Sequence, residues 1–329
     1  MTASAPAETR SSALRGILQR NGWTLGLIGF LIALLAFTKL IQPSYGASGI
    51  QGLAIAVLPL ALAAAAQAVV VIAGGIDLSI GSMMALTSVV AATLMDEQSP
   101  EVSIAVVALV LIIGLLIGAV NGALVVLTRV PDIVVTLAMA FVWAGAALLV
   151  LRTPGGGSAE WLRDLVLGPF ITEWIPRAAI VLAVIVAVVW IPLQRSRLGL
   201  SFYAIGSNQL AAFRSGVSVG WTKFLAYVVA GLFSALAGLM LLASTGIGTP
   251  VPGPYTLLSV AAVVLGGVSL AGGRGGLLGP VIAVVILSLL RTDMTFMRLN
   301  TNLATVAQGV ILVAVVMLGT FLTLRRKAA

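Results

Sequence analysis

Ten apolar runs, nearly all of bilayer-crossing length, occupy most of this chain and leave little polar sequence between them. A helix needs about 20 apolar residues to cross a hydrocarbon core. Such runs fall at about 23–41, 50–73, 79–95, 102–127, 131–151, 177–194, 223–244, 255–271, 276–290 and 303–323. The ninth is short, and Gly272-Gly273-Arg274-Gly275-Gly276 before it reads as a loop or a re-entrant turn. Only 9% of the 329 residues are charged, against about 25% in soluble domains. A water-soluble fold is therefore excluded. The pattern predicts an all-α polytopic membrane helix bundle of about ten transmembrane helices. Residues 1–22 read as a tail, 23–324 as one membrane domain and 325–329 as a basic tail. Trp23–Ile41 is as long as a full span and has no clean cleavage site after it, so it reads as a span and not a leader.

Basic residues collect in cytoplasmic loops of membrane proteins. With the N-terminus inside, Arg10, Arg15, Arg20, Arg129, Arg195, Arg197, Arg214, Lys223, Arg274, Arg325, Arg326 and Lys327 fall on the inner side. Lys39, Arg152, Arg163, Arg177, Arg291 and Arg298 fall outside. Asp96, Glu97, Glu101, Glu160, Asp164, Glu173 and Asp293 also fall outside. Both termini are expected to be cytoplasmic. The longest stretches between spans, 152–176 and 195–222, are each too short to fold alone. The net charge of +8 is scattered through short loops, a distribution that does not suggest nucleic acid.

The chain contains no Cys and no His. Thiol chemistry is absent, and so are the commonest general base and metal ligand. Gly272-Gly273-Arg274-Gly275-Gly276 lacks the lysine and hydroxyl of a phosphate loop, so the chain is not expected to hydrolyse ATP. No His-Glu-x-x-His helix or serine–histidine pair is present. No series of buried charges offers a proton relay. A bundle without an energy source reads as a transporter driven from outside, or as a passive pore.

Asp77, in Gly74-Gly75-Ile76-Asp77-Leu78-Ser79-Ile80-Gly81-Ser82, reads as the only acid within the apolar bulk. A charge there costs about 2.5–3.5 kcal/mol on insertion scales. Gly74-Gly75 breaks the preceding helix, and Asp77 can cap the next by accepting from the N–H of Ser79 or Ile80. A cap and a place on a polar path are both compatible with that position. Gln67, Asn121, Thr136, Thr305 and Gln308 are polar residues within spans, of the kind that bond between helices. Gly114, Gly118 and Gly122 share one helix face, as do Gly231 with Ala235 and Ser234 with Gly238. Small-xxx-small spacing predicts close backbone packing.

The stretch 195–217 has more pattern than a linker. Asn208–Arg214 reads as a short helix with Ser207 or Asn208 as its cap, Gly216 as its stop, and Leu210 and Phe213 as its apolar face.

That stretch and Gly-Gly-Ile-Asp-Leu-Ser at 74–79 resemble the ribose-type branch of ABC transporter permeases. So do Gly118-Ala-Val-Asn121-Gly122, Pro131 with Val135-Thr136-Leu137, and the run Val264-Leu265-Gly266-Gly267-Val268-Ser269-Leu270-Ala271-Gly272-Gly273. The likeness covers nearly the whole chain, in order. Three positions depart from the pattern. Gln209 stands where an acid is frequent, Phe213-Arg214 where a basic residue and then an aliphatic are usual, and Asp132 where an apolar residue is common.

The resemblance implies two permease subunits, identical or paralogous, in a bacterial inner membrane. It also implies two ATPase domains and an extracytoplasmic sugar-binding protein. ATP and magnesium would be bound by the ATPase, leaving this chain without a cofactor. Gly206, Asn208, Ala211, Ala212, Ser215 and Gly216 would form the region that docks on the ATPase. Asp77, Ser79, Asn121 and Thr136 are candidates for the translocation path. Phe141, Trp143 and Tyr255 are apolar faces of the kind that stack on sugar rings, although Tyr255 reads better as an interfacial anchor. The expected function is a sugar importer's membrane subunit. The same architecture serving an amino acid or a signalling furanose, and a stand-alone facilitator, remain alternatives.

Overall fold

In the computed structural model, residues 10–251 and 253–298 are described, with a few single positions between 306 and 317. Side chains are described from residue 22. The expected tenth span at 303–323, with Thr305 and Gln308, lies outside the described residues apart from those single positions, and Arg325, Arg326 and Lys327 lie wholly outside them. Every element among the described residues is a helix. Its helices are α1 (Arg10–Ile41), α2 (Ala47–Ile72), α3 (Ile80–Met95), α4 (Pro100–Thr128), α5 (Asp132–Val150), α6 (Glu160–Val166) and α7 (Arg177–Ile185). After a π turn at Val186–Trp190 come α8 (Ile191–Arg195), α9 (Arg197–Ser207), α10 (Gln209–Arg214), α11 (Val219–Thr245), α12 (Tyr255–Leu265) and α13 (Leu278–Phe296).

Seven helices among the described residues are long and apolar enough to cross a membrane. One of them, Arg177–Arg195, is α7, the π turn and α8 run together. The expected third and eighth spans are shorter than spacing alone indicates. α3 has 16 residues and α12 has 11, or about 24 and 16 Å at 1.5 Å per residue. Each is cut at a glycine-containing break: Gly74-Gly75 precedes α3, and Gly266-Gly267 follows α12. Neither crosses a bilayer alone. Broken helices of this kind occur where neighbouring protein satisfies the freed backbone.

α2 is the axis of the bundle, buried without interruption from Val57 to Ala73. Ala61, Ala63, Ala64, Ala65, Ala66 and Ala68 keep it thin, so helices pack on several sides. α11 lies against α4, α2 and α3. The glycine faces meet as their spacing predicts. A Cβ on Gly114 would strike Gly231 and Ala235, and one on Gly118 would strike Tyr227 and Gly231. Gly238, one turn beyond Ser234, faces Thr87 and Met84 of α3. In lipid there is little hydrophobic gain from joining two helices, so this close van der Waals fit carries the association.

At the end of the bundle opposite the basic loops, residues 151–176 are folded down. Gly155 and Gly248 exchange backbone bonds at 3.1 and 2.8 Å, and Gly157 N–H donates to Ala92 O at 3.1 Å. Arg177 Nη1 holds Asp164 O at 2.7 Å.

Candidate functional site

The break between α2 and α3 organises a buried polar chain. The Asp77 carboxylate accepts from Ser79 N–H at 2.8 Å and Ser79 Oγ at 2.6 Å through one oxygen. Asn121 Nδ2 on α4 donates to Ser79 Oγ at 2.8 Å. Trp143 Nε1 on α5 donates to Asn121 Oδ1 at 3.0 Å. Thr136 Oγ1 donates to Asp132 O at 2.8 Å and accepts from Leu78 N–H at 3.1 Å. Asp77, Ser79, Asn121 and Thr136 are therefore neighbours at one junction of four helices, and all four are fully buried.

Asp77 accepts the Ser79 N–H as its spacing predicts, but it stands three residues ahead of the helix. Ser79 occupies the N-cap position and donates back to the carboxylate. The other oxygen, Asp77 Oδ2, has no partner among the described residues. Gln67 lies fully buried on α2, and neither polar atom of its amide has a partner, contrary to the interhelical bond expected of it.

Asp77 is not the only buried acid. Asp293, expected in the outer loop set, is buried in the last turn of α13. Asp132 opens α5 with its side chain only 13% exposed and pairs with Lys223 Nζ at 2.7 Å. Tyr227 OH donates to its other oxygen at 2.9 Å. A Cβ on Gly75 would come within 2.5 Å of Asp132 Oδ2 and 2.9 Å of Tyr227 OH. The ion pair thus rests directly on the helix break. Sequence reading missed it because Asp132 and Lys223 are far apart in the chain, and nothing in either segment names the other.

The 195–222 segment folds into two short helices. Ser196 caps α9 by accepting Gly199 N–H at 3.1 Å. Asn208 caps α10 by accepting Ala211 N–H at 3.0 Å. Gly216 ends it at φ +85°, where a residue without Cβ is unstrained. Leu210 and Phe213 project outward, 60% and 66% exposed. Asn208, Ala211, Ser215 and Gly216 are exposed beside them, whereas Ala212 turns inward and is 5% exposed. Ala212 is thus part of the packing beneath α10 and not of its outer face.

Gly206 is also turned inward. A Cβ there would collide with Ile72 O and lie 2.5 Å from Gly273 N. Gly272 approaches the same spot, with Gly74 Cα 3.0 Å from its would-be Cβ. Gly273 N–H donates to Ile72 O at 2.9 Å. The end of α2, the end of α9 and the 266–276 loop therefore meet through glycine backbones. Tyr203 on α9 donates to Gly275 O at 2.9 Å, and its burial pushes the phenol pKa above the ordinary value. The 272–276 segment is not a free linker. It is the third member of this junction.

The described residues thus form a many-helix membrane bundle with two broken helices and a two-helix arm wedged under one break. The chain belongs to the family described as branched-chain amino acid transport system / permease component, whose model matches residues 49–316. It is 32% identical to the ribose import permease RbsC of Bacillus subtilis, an alignment covering 92% of this chain and 93% of that one. Against RbsC of Haemophilus influenzae the identity is 29%, covering 89% and 91%. Against the autoinducer 2 import permease LsrD of Escherichia coli it is 27%, covering 90% and 92%. No solved structure matches the chain.

Proposed function

We propose that this chain is the membrane-spanning subunit of an ATP-driven importer for a pentose or hexose. In this reading an extracytoplasmic binding protein delivers the sugar, and a separate ATPase supplies the energy and holds the ATP and magnesium. Two copies, or this chain and a paralogue, complete the pathway in a bacterial inner membrane. Both termini and the α9–α10 arm face the cytoplasm, in keeping with the basic residues collected there. The relatives named ribose import permeases support a sugar as cargo, because they align along nearly their full length.

The observation that carries the coupling is the placement of α10. Leu210 and Phe213 offer an apolar knob to a soluble partner. One helix earlier, Gly206 is wedged against the end of α2. A push on α10 reaches the Gly74-Gly75 break without passing through a flexible side chain. Packed junctions of this type switch between discrete arrangements instead of deforming smoothly. Asp77, Ser79, Asn121 and Thr136 hold the far side of the break and set which arrangement is stable.

The test is uptake of radiolabelled ribose into proteoliposomes holding this chain, with and without its genome-neighbouring ATPase and binding protein. Uptake that needs both partners and ATP supports the importer. Equilibration by the chain alone would make it a facilitator. A signalling furanose is the second reading, favoured by the match to LsrD. Competition between ribose and autoinducer 2 in the same vesicles separates the two.

A further inference from the structure

An open groove of about 620 Å³ runs down the bundle between α2, the Arg177–Arg195 helix and α13. At one end it is lined by Ile50 and Pro176, and at the other by Gln194 and Gly276. The helix along it spans 19 residues, or about 28 Å, close to the thickness of a hydrocarbon core. The small side chains of Ala179 and Ala183 leave room along the half near Pro176, and the π turn at Val186–Trp190 forms part of its wall.

The two ends differ in charge. Gln194 Nε2 donates to Tyr203 OH at 3.2 Å, and Tyr203 donates to Gly275 O at 2.9 Å. This rim brings the end of α8, the side of α9 and the 272–276 loop together. Arg195 follows Gln194, Arg197 begins α9 and Arg274 precedes Gly275. All three are exposed, and none makes an ion pair or side-chain hydrogen bond among the described residues. Arg195 and Arg274 thus stand one and two residues from the groove-lining Gln194 and Gly276.

We propose that this groove is a binding site for a phospholipid with an anionic headgroup. Acyl chain lies along Ala179, Ala183 and Val281, and phosphate is held by Arg195, Arg197 and Arg274. Basic pockets between transmembrane helices hold anionic headgroups in this way. Charge complementarity selects the occupant, because a purely apolar partner gains nothing from three unpaired guanidinium groups. The site does not depend on which cargo the chain carries. Its rim residue Gln194 is bonded to Tyr203 of α9, so its occupancy bears on the arm that carries α10.

The test is native mass spectrometry of the full chain released from nanodiscs holding equal phosphatidylglycerol and phosphatidylcholine. The wild type should retain phosphatidylglycerol more than about a hundredfold over phosphatidylcholine, from roughly 1 kcal/mol for each of the three arginines. R195Q/R197Q/R274Q should abolish that preference, and Ala183→Trp should remove the retained lipid by filling the groove. Both variants change exposed positions, and if one fails to fold the other still decides the matter. Equal retention of the two lipids by the wild type, or retention unchanged in the variants, overturns the proposal. The chain has no native cysteine, so a disulfide between Ala183→Cys and Val310→Cys within one chain would show the groove filled by its own C-terminal segment, and overturns it equally.

Discussion

Lys223 Nζ lies 2.7 Å from Asp132 Oδ1 and ties the start of α11 to the first turn of α5. Asp132 is also an acid at a helix N-terminus, where the macrodipole favours it. Its second oxygen accepts from Tyr227, and the group of three closes over Gly75. One pair therefore joins two long helices and the break that precedes α3.

Removing one partner of this pair should cost more than removing both. Lys223→Met leaves a mostly buried carboxylate without its counter-ion. The expected loss is about 1–3 kcal/mol, below the 3–5 of a fully buried pair because Lys223 keeps 20% exposure. Asp132→Val with Lys223→Met should recover at least half of it. Thermal unfolding in detergent across the double-mutant cycle measures the coupling, and strictly additive effects would show that the pair contributes nothing.

Asp77 should act first through its turn. Asp77→Asn keeps an acceptor for Ser79 N–H, while Asp77→Ala removes it at about 0.5–2 kcal/mol. Asn should reach normal membrane levels and transport, and Ala should be poorly accumulated. Normal levels of Asn with no transport would assign the role to charge. Wild-type behaviour of both variants would leave the residue without either role.

Trp143→Phe should weaken the same junction from α5. It removes the donor to Asn121 Oδ1, and a buried acceptor left unpaired costs about 1–3 kcal/mol. Asn121→Leu with Trp143→Phe should be milder than Trp143→Phe alone. Equal melting temperatures for wild type and Trp143→Phe would mean that the bond is not formed in the membrane.

Gly206→Ala should disable transport. Its Cβ has nowhere to go except into Ile72 O and Gly273, which are backbone atoms and do not yield cheaply. Gly145→Ala, facing open space on α5, is the matched control and should be silent. Full uptake by Gly206→Ala would remove the wedge from the coupling route.

The outer face of α10 is best probed at Leu210 and Phe213. Ala212→Trp is no probe of that face. Because Ala212 is buried, its replacement should unfold the arm and lower membrane levels. Leu210→Ser with Phe213→Ser should leave the fold intact and abolish ATPase association in a pull-down. Retained association would move the docking surface elsewhere.

The apolar runs, the small-residue faces of α4 and α11, and the caps and stop of α10 are legible in the chain because each is a local pattern of 3.6-residue period or a single turn's chemistry. The motif at 74–82 likewise declares a break, and a carboxylate placed to accept a nearby N–H. The ends of α3 and α12 are less legible, since hydropathy continues across glycine breaks where the backbone does not stay helical. What only the tertiary structure decides is which distant segments share a neighbour. Leu210 is the more apolar of the two in a six-residue helix, yet packing beneath α10 sends Ala212 inward and Leu210 out. Asp132 finds Lys223, and Gly206 finds Ile72 and Gly272, through contacts between segments tens of residues or more apart. No local periodicity encodes them, because they depend on how closely thin, alanine- and glycine-rich helices come together.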